Sequence, residues 1–206
     1  MFSVIMPTMW MSDKTSCMIV ELSKSKLIDE IIIIDNNPEK SIKLDNLSGK
    51  FKIIKNKENI YVNPSWNLGV KMSKNNNLII TNDDLCIKNI DKVLDKIQSS
   101  EFDLIGLDLV NLNKDSQVMI KSKTGEMEKG FGCFFYVKKS KFVPIDNEIK
   151  IWYGDLILHN FINNKGVMSF GDIDFELSKT VKSTNNLSEI LKNDKNVYQR
   201  KYKNRY

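Results

Sequence analysis

Four consecutive isoleucines, Ile31–Ile34, stand between Glu30 and Asp35 and are followed by Asn36, Asn37 and Pro38. A β-branched run without polar alternation suits a strand buried on both faces, and such a strand requires a sheet covered by helices on both sides. The theme recurs in "FSVIMPT" (2–8), "KFKIIKN" (50–56) and "NLIITND" (77–83), each a short apolar run closed by polar residues or proline. Between the first two runs, "KTSCMIVELSKSKLI" (14–28) places Met18, Leu22 and the Lys26/Leu27 step at helical spacing. A strand, a helix and a second strand in succession imply parallel pairing, because parallel neighbours need a crossover.

The pattern continues with a helix over "PSWNLGVKMSK" (64–74), opened by Pro64, whose missing N–H has no partner to lose in a first turn. "IKNIDKVLDKIQSS" (87–100) sets Ile90, Val93, Leu94 and Ile97 on one helical face, and "FDLIGLDLV" (102–110) reads as another strand. Beyond it the pattern loosens. "GEMEKGFGCFFYVKKSKF" (125–142) is glycine-punctuated and aromatic, "DLILHNFINNKG" (155–166) predicts a helix with a glycine past its end, and "VMSFGDIDFEL" (167–177) predicts one or two strands. The class is α/β, with a mainly parallel central sheet flanked by helices.

With 206 residues, 41% of them hydrophobic and 28% charged, the chain suits one globular domain over 1–206 rather than a disordered polymer. No repeat or linker divides it. The formal charge of +5 is mild, and only "DKNVYQRKYKNRY" (194–206) masses basic residues. Such a tail is either a solvated end or a phosphate-touching segment, toward RNA, a membrane surface or a nucleoside diphosphate. Cys17, Cys86 and Cys133 are odd in number and form no CxxC pair, so the expectation is no disulfide framework, no zinc site and a reducing, cytoplasmic compartment. The start lacks signal-peptide features, and no apolar run reaches the roughly 18 to 20 residues that span a bilayer, so no transmembrane segment is expected. Richness in Lys, Asn and Ile points to an AT-rich genome, viral or low-GC bacterial.

Ligands of open α/β sheets bind beyond the carboxyl ends of the parallel strands. Those ends read Pro7-Thr8, Asp35-Asn36-Asn37 and Asn82-Asp83-Asp84, three polar clusters that the fold should bring to one rim. Alone, the second is an ordinary turn and the third an ordinary helix start. Together they can serve a divalent cation: Mg2+ or Mn2+ takes one or two carboxylates and fills its shell with phosphate oxygens and water. Asp84, helped by Asn82 or Asp83, is the candidate ligand.

"FSVIMPT", "EIIIIDNN", "NPSWNLGVKMSKNNNLIITNDDL", "GFGCFFYVKKSKF" and "WYGDLILHNFINNKG" resemble, in order and spacing, the GT-A-fold glycosyltransferases of the family 2 type. The resemblance covers about residues 2–180, nearly the whole chain. It implies a GT-A (nucleotide-diphospho-sugar transferase) fold, with a nucleotide-binding half over about 1–110 and an acceptor half over about 111–206. It implies a hexosyltransferase that moves a sugar from an NDP-sugar, with uridine the expected base, to a hydroxyl on a glycan, a protein or a lipid-linked acceptor. Donor contacts then fall to Pro7, Thr8, Asp35, Asn67, Asn82 and Asp83, the Mn2+ or Mg2+ ligand to Asp84, and acceptor contacts to Gly132, Trp152 and Tyr153. Asp155 matches the general base that takes a proton from the acceptor hydroxyl as its oxygen attacks the anomeric carbon with inversion. Two positions depart from the family. Trp66 replaces an arginine of the Arg-Asn-x-Gly segment, and Phe175 stands in place of a metal-binding histidine ahead of Ser178 and Thr180, leaving either Asp174 or Glu176 as a substitute or a looser metal site.

His159, the only histidine, reads as structural or surface. Trp10 and Trp66 fit either a sugar-stacking platform or the core, and Arg200 or Lys201 would reach the diphosphate if the tail folds back. A stable nucleic-acid partner is not expected. Two rival readings remain. One is a nucleotidyltransferase, against which stands the lack of a glycine-rich phosphate loop with a following lysine. The other is an inactive module binding glycan or nucleic acid, favoured by Trp66 and Phe175.

Overall fold

The computed structural model describes residues 1–40, 49–112, 117–176 and 184–203. Strand β1 (Phe2–Thr8) leads through helix α1 (Lys14–Lys24) to β2 (Ile28–Asp35), followed by β3 (Phe51–Lys55), α2 (Val62–Met72) and β4 (Asn77–Thr81). A short β5 (Leu85–Ile87), α3 (Ile90–Gln98), β6 (Leu104–Leu107), β7 (Met119–Ser122) and β8 (Phe134–Lys138) come next. The chain continues with α4 (Gly154–Phe161), β9 (Lys165–Ser169), β10 (Ile173–Phe175) and α5 (Leu187–Lys201).

Among the described residues the main sheet has eight strands in the order β3-β2-β1-β4-β8-β6-β9-β7. β8 runs antiparallel between β4 and β6, and β7 antiparallel at one edge beside β9, while the other pairings are parallel. The isoleucine run now has its reason. Ile31 and Ile33 point into one apolar layer with Met18 and Leu22 of α1 and Val93 and Leu94 of α3. Ile32 and Ile34 point into the other with Trp66 of α2, Ile157 of α4 and Val197 of α5. A strand with helices on both faces has no use for alternation, and each side chain so buried contributes about 1.5 to 3 kcal/mol. At the β3 edge, where one side meets solvent, Lys52 and Lys55 are exposed and no residue of the strand is fully buried.

Three elements and one covalent bond depart from the sequence reading. The stretch that looked like the start of a helix at Ile87 is β5, paired antiparallel with β10, and α3 begins three residues later. β7 was not visible in the sequence. Residues 194–201 of the basic tail form the second half of α5, and Val197 and, just past the helix end, Tyr202 enter the core. Finally, Cys17 and Cys86 are disulfide-bonded with Cα atoms 5.7 Å apart, against the expectation of no disulfide. The sequence separation of 69 hides this pairing, which arises because β5 lies against α1. Such bonds belong to oxidising surroundings, so the cysteine pattern no longer supports a reducing compartment.

Candidate active site

β1 lies between β2 and β4, so the order of strands reverses at the β1/β4 boundary, where a crevice opens beyond the strand ends. A cleft of about 520 Å3, counted out to its open mouth, occupies this place. Pro7, Thr8 and Met9 wall it from β1, Asn82, Asp83 and Asp84 from β4, and Asn36 from β2. Asn59, Tyr61 and Val62 close it from the approach to α2, and Ile151 and Thr184 from later in the chain.

The two aspartates divide. Asp83 Oδ2 accepts from Thr8 Oγ1 at 2.6 Å and from Met9 N at 3.3 Å, and its carbonyl accepts from Thr15 Oγ1 at 2.9 Å. Asp83 therefore ties the end of β4 to β1 and α1. Asp84 lines the cleft with only 4% of its surface exposed, and its carbonyl accepts from Glu176 N at 2.7 Å. Of the two acids flanking Phe175, Glu176 thus lies along Asp84, while Asp174 is held by Lys14 Nζ at 2.5 Å. Among the described residues no group of three His, Cys, Asp or Glu side chains is placed to hold a metal ion. A cation shared with a diphosphate needs only one or two carboxylates, and the oxygen donors of Asp84 fit that requirement.

Asp155 occupies the first turn of α4, where its Oδ1 accepts from Leu156 N at 2.9 Å. The turn Phe131–Cys133 packs against it: a Cβ at Gly132 would come within 2.5 Å of Asp155 Oδ2. That close approach admits only glycine, and it explains the residue type in "GFGC". The same turn reaches the end of β4, since Asn82 N donates to the Cys133 carbonyl at 2.8 Å. Burial, with the nearby charges of Asp84 and Asp155, pushes the Cys133 thiol up to about 12, so it stays protonated at neutral pH. One turn thus bridges the acid at the end of β4 and the acid at the head of α4. Burial also holds the Asp155 carboxyl above the ordinary aspartate range, and the backbone amides of Leu156, Asp155 and Gly132 oppose that shift. A carboxylate made more basic in this way is suited to accept a proton from a hydroxyl.

The other predicted residues are placed as follows. Asp35 is buried at the end of β2, where Oδ1 accepts from Asn37 N at 3.0 Å, and its neighbour Asn36 is the one in the cleft wall. Asn67 exchanges two hydrogen bonds with the Ile145 backbone, at 2.6 and 2.9 Å, outside the cleft wall. Tyr153 stacks on Tyr198 of α5 with ring centroids 4.7 Å apart, and Trp152 is partly buried with both backbone polar groups bonded. Trp10 and Trp66 are buried in the core, Trp66 edge-on to Phe135. His159 is buried against the edge of Phe131. Arg200 and Lys201 pair with Glu148 and Asp146 instead of pointing at the cleft. Ser178 and Thr180 lie outside the described residues. Sequence reasoning missed Tyr61, Ile151, Thr184 and Asp194. The spacing of Leu187, Ile190, Leu191, Val197 and Tyr198 could have revealed the helix that carries the last.

No family model matches the sequence, and neither does any curated protein. Solved structures do resemble the fold. S. aureus TarS 1–349 superposes with a TM-score of 0.59 at 12% identity, over 98% of this chain and 72% of that one. The same fragment in complex with UDP-GlcNAc gives 0.56 at 14% identity, over 82% and 56%. HddC from Yersinia pseudotuberculosis gives 0.59 at 14% identity, over 89% and 98%. Against a longer TarS structure the chain spans only 43% of that protein's length. The architecture is therefore the GT-A type. Among the described residues no helix is long and apolar enough to cross a membrane.

Proposed function

We propose that this chain is a glycosyltransferase that moves a sugar from a nucleoside diphosphate sugar, with UDP as the nucleotide, to a hydroxyl acceptor. The observation that carries the reading is the junction made by the Phe131–Cys133 turn, which joins Asn82 at the switch-point cleft to Asp155 at the head of α4. In this reading donor and base have adjoining places. The complexes of TarS with UDP-GlcNAc and with UDP support a uridine nucleotide in the cleft.

In this reading the donor lies beyond β1 and β4, with Thr8 and Asn82 as neutral partners and Asp83 fixing the cleft's floor. Asp155 takes the proton of the acceptor hydroxyl while the oxygen bonds to the anomeric carbon. The bond from that carbon to the diphosphate breaks, its electron pair leaves on the diphosphate oxygen, and single displacement inverts the centre. Asp84 would hold Mn2+ or Mg2+, which supplies positive charge against the departing diphosphate. The acceptor is a hydroxyl of a glycan, a protein or a lipid-linked carrier.

The test is thermal stability with UDP, UDP-GlcNAc and UDP-glucose, each with and without Mn2+, followed by detection of released UDP. A bound donor at about 100 times its Kd adds roughly 2.7 kcal/mol, which raises the Tm by about 5 to 10 °C for a chain of this size. No shift with any nucleotide refutes the reading. Pyrophosphate formed from UTP and a sugar 1-phosphate would replace it with nucleotidyl transfer.

A further inference from the structure

The segment that delivers Asp155 is held from two sides by buried polar side chains that the reaction itself does not use. Asp194, in the middle of α5 and fully buried, accepts three successive backbone N–H groups. Lys150 N reaches Oδ1 at 2.8 Å, while Ile151 N and Trp152 N reach Oδ2 at 2.9 and 3.0 Å. From α2, the equally buried Asn63 donates its backbone N–H to the Lys150 carbonyl and Nδ2 to the Trp152 carbonyl, both at 3.0 Å. The next residue, Tyr153, has φ 67° and ψ −7°, a left-handed conformation that a bulky side chain adopts only when its surroundings impose it. Its ring is stacked on Tyr198, one helical turn beyond Asp194. Gly154 follows, where any Cβ would overlap Asn63 Oδ1, and then Asp155.

Docking α5 does not require this arrangement, for Val197 and the following Tyr202 already bury apolar surface. A carboxylate placed in the interior is costly unless its oxygens are filled, and here three amides fill them. The same clamp touches the donor side, because Ile151, whose N–H it holds, lines the cleft. We infer that Asp194 is a positioning residue: from α5 it sets the backbone of residues 150–152 and thereby aims Asp155 at the donor cleft. This rests on the reading of Asp155 as the base, although the clamp can be measured without any turnover.

The experiment compares Asp194→Asn, which keeps the shape, Asp194→Ala, and Arg200→Ala, which removes a surface ion pair of the same helix. In the full chain, hydrogen exchange at residues 149–156 should accelerate by roughly tenfold or more in Asp194→Asn, as unpartnered amides open. Segments 2–8 and 77–84 should keep wild-type exchange, and Arg200→Ala should change neither region. With UDP-GlcNAc and Mn2+, kcat for UDP release should fall by about 100-fold while KM moves by no more than about threefold, the mark of misplaced chemistry rather than lost binding. Wild-type exchange and kcat in Asp194→Asn would overturn the inference. So would acceleration everywhere, which makes Asp194 a general strut. If Asp194→Ala does not fold, the isosteric variant decides. If the wild type releases no UDP, the base reading falls, and exchange at 149–156 alone decides whether Asp194 holds the segment.

Discussion

The two sides of the cleft are built by different means. The side proposed to hold the donor takes its polar residues from the ends of β1, β2 and β4, where parallel pairing alone brings Thr8, Asn36 and Asn82 to one rim. In the same reading the base side takes one carboxylate, Asp155, from the first turn of α4, reached through a loop over 150–153 that no strand guides. That loop is fixed by side chains far away in the chain, Asn63 at a separation of 89 residues and Asp194 at 42 to 44. The difference teaches that topology provides the crevice, whereas in the proposed reading aiming a base takes dedicated polar clamps and a residue held at positive φ. Substitutions should therefore be tolerated unequally on the two sides.

The largest effect should come from Asp155→Asn. Loss of a general base lowers transfer by about 100- to 10,000-fold, while calorimetric binding of UDP should be unchanged. Full turnover would dissolve the base side as a functional unit. Asp84→Ala should do the reverse, abolishing the Mn2+-dependent part of UDP binding, and metal-stimulated binding that survives would remove Asp84 from the donor side. Gly132→Ala comes next, because its Cβ would stand 2.5 Å from Asp155 Oδ2 and something must move. We expect about a 100-fold loss in kcat, the scale for an ångström of misplacement, with UDP affinity preserved.

Much of this contrast was legible in the sequence, on one side more than the other. The apolar runs report burial directly, so β1 to β4, α1 and α2 follow from local chemistry. The polar strand ends were readable for the same reason, since an α/β sheet always exposes them together. Which polar residue faces the cleft was not: Asp35 at the end of β2 and Asn67 in α2 have the right chemistry, yet their side chains bond nearby backbone groups. β5 and β7 are short segments whose pairing is set by tertiary context rather than propensity. Asp194 was the hardest. In a tail rich in lysine, an acid reads as solvated, and only the three amides of a distant loop give it a buried place.

A smaller effect separates the sides through stability. Thr8→Val removes the hydroxyl that donates to Asp83 and accepts from Trp10 N at 2.8 Å. Leaving those buried partners unsatisfied should cost about 1 to 3 kcal/mol, read as a lower midpoint in urea, with weaker UDP binding but unchanged kcat at saturating donor. An equal fall in kcat would mean that the switch point also aims the base, and the two sides would no longer be separable.

The smallest expected effect is a pH trend. Burial raises the Asp155 pKa in the folded state above its unfolded value, so folding favours the protonated form. The stability this lends is complete below the unfolded pKa and is lost as pH rises through the folded one. Asp155→Asn cannot titrate at that position. The Tm difference between variant and wild type should therefore shift in the variant's favour as pH rises through the acid range, and level off once Asp155 is ionised in the folded protein. A thermal melt series from the unfolded pKa upward reads this directly. A difference moving the opposite way would mean that the amides of Leu156 and Gly132 outweigh burial, leaving a carboxylate stabilised in its charged form and poorly matched to accepting a proton near neutral pH.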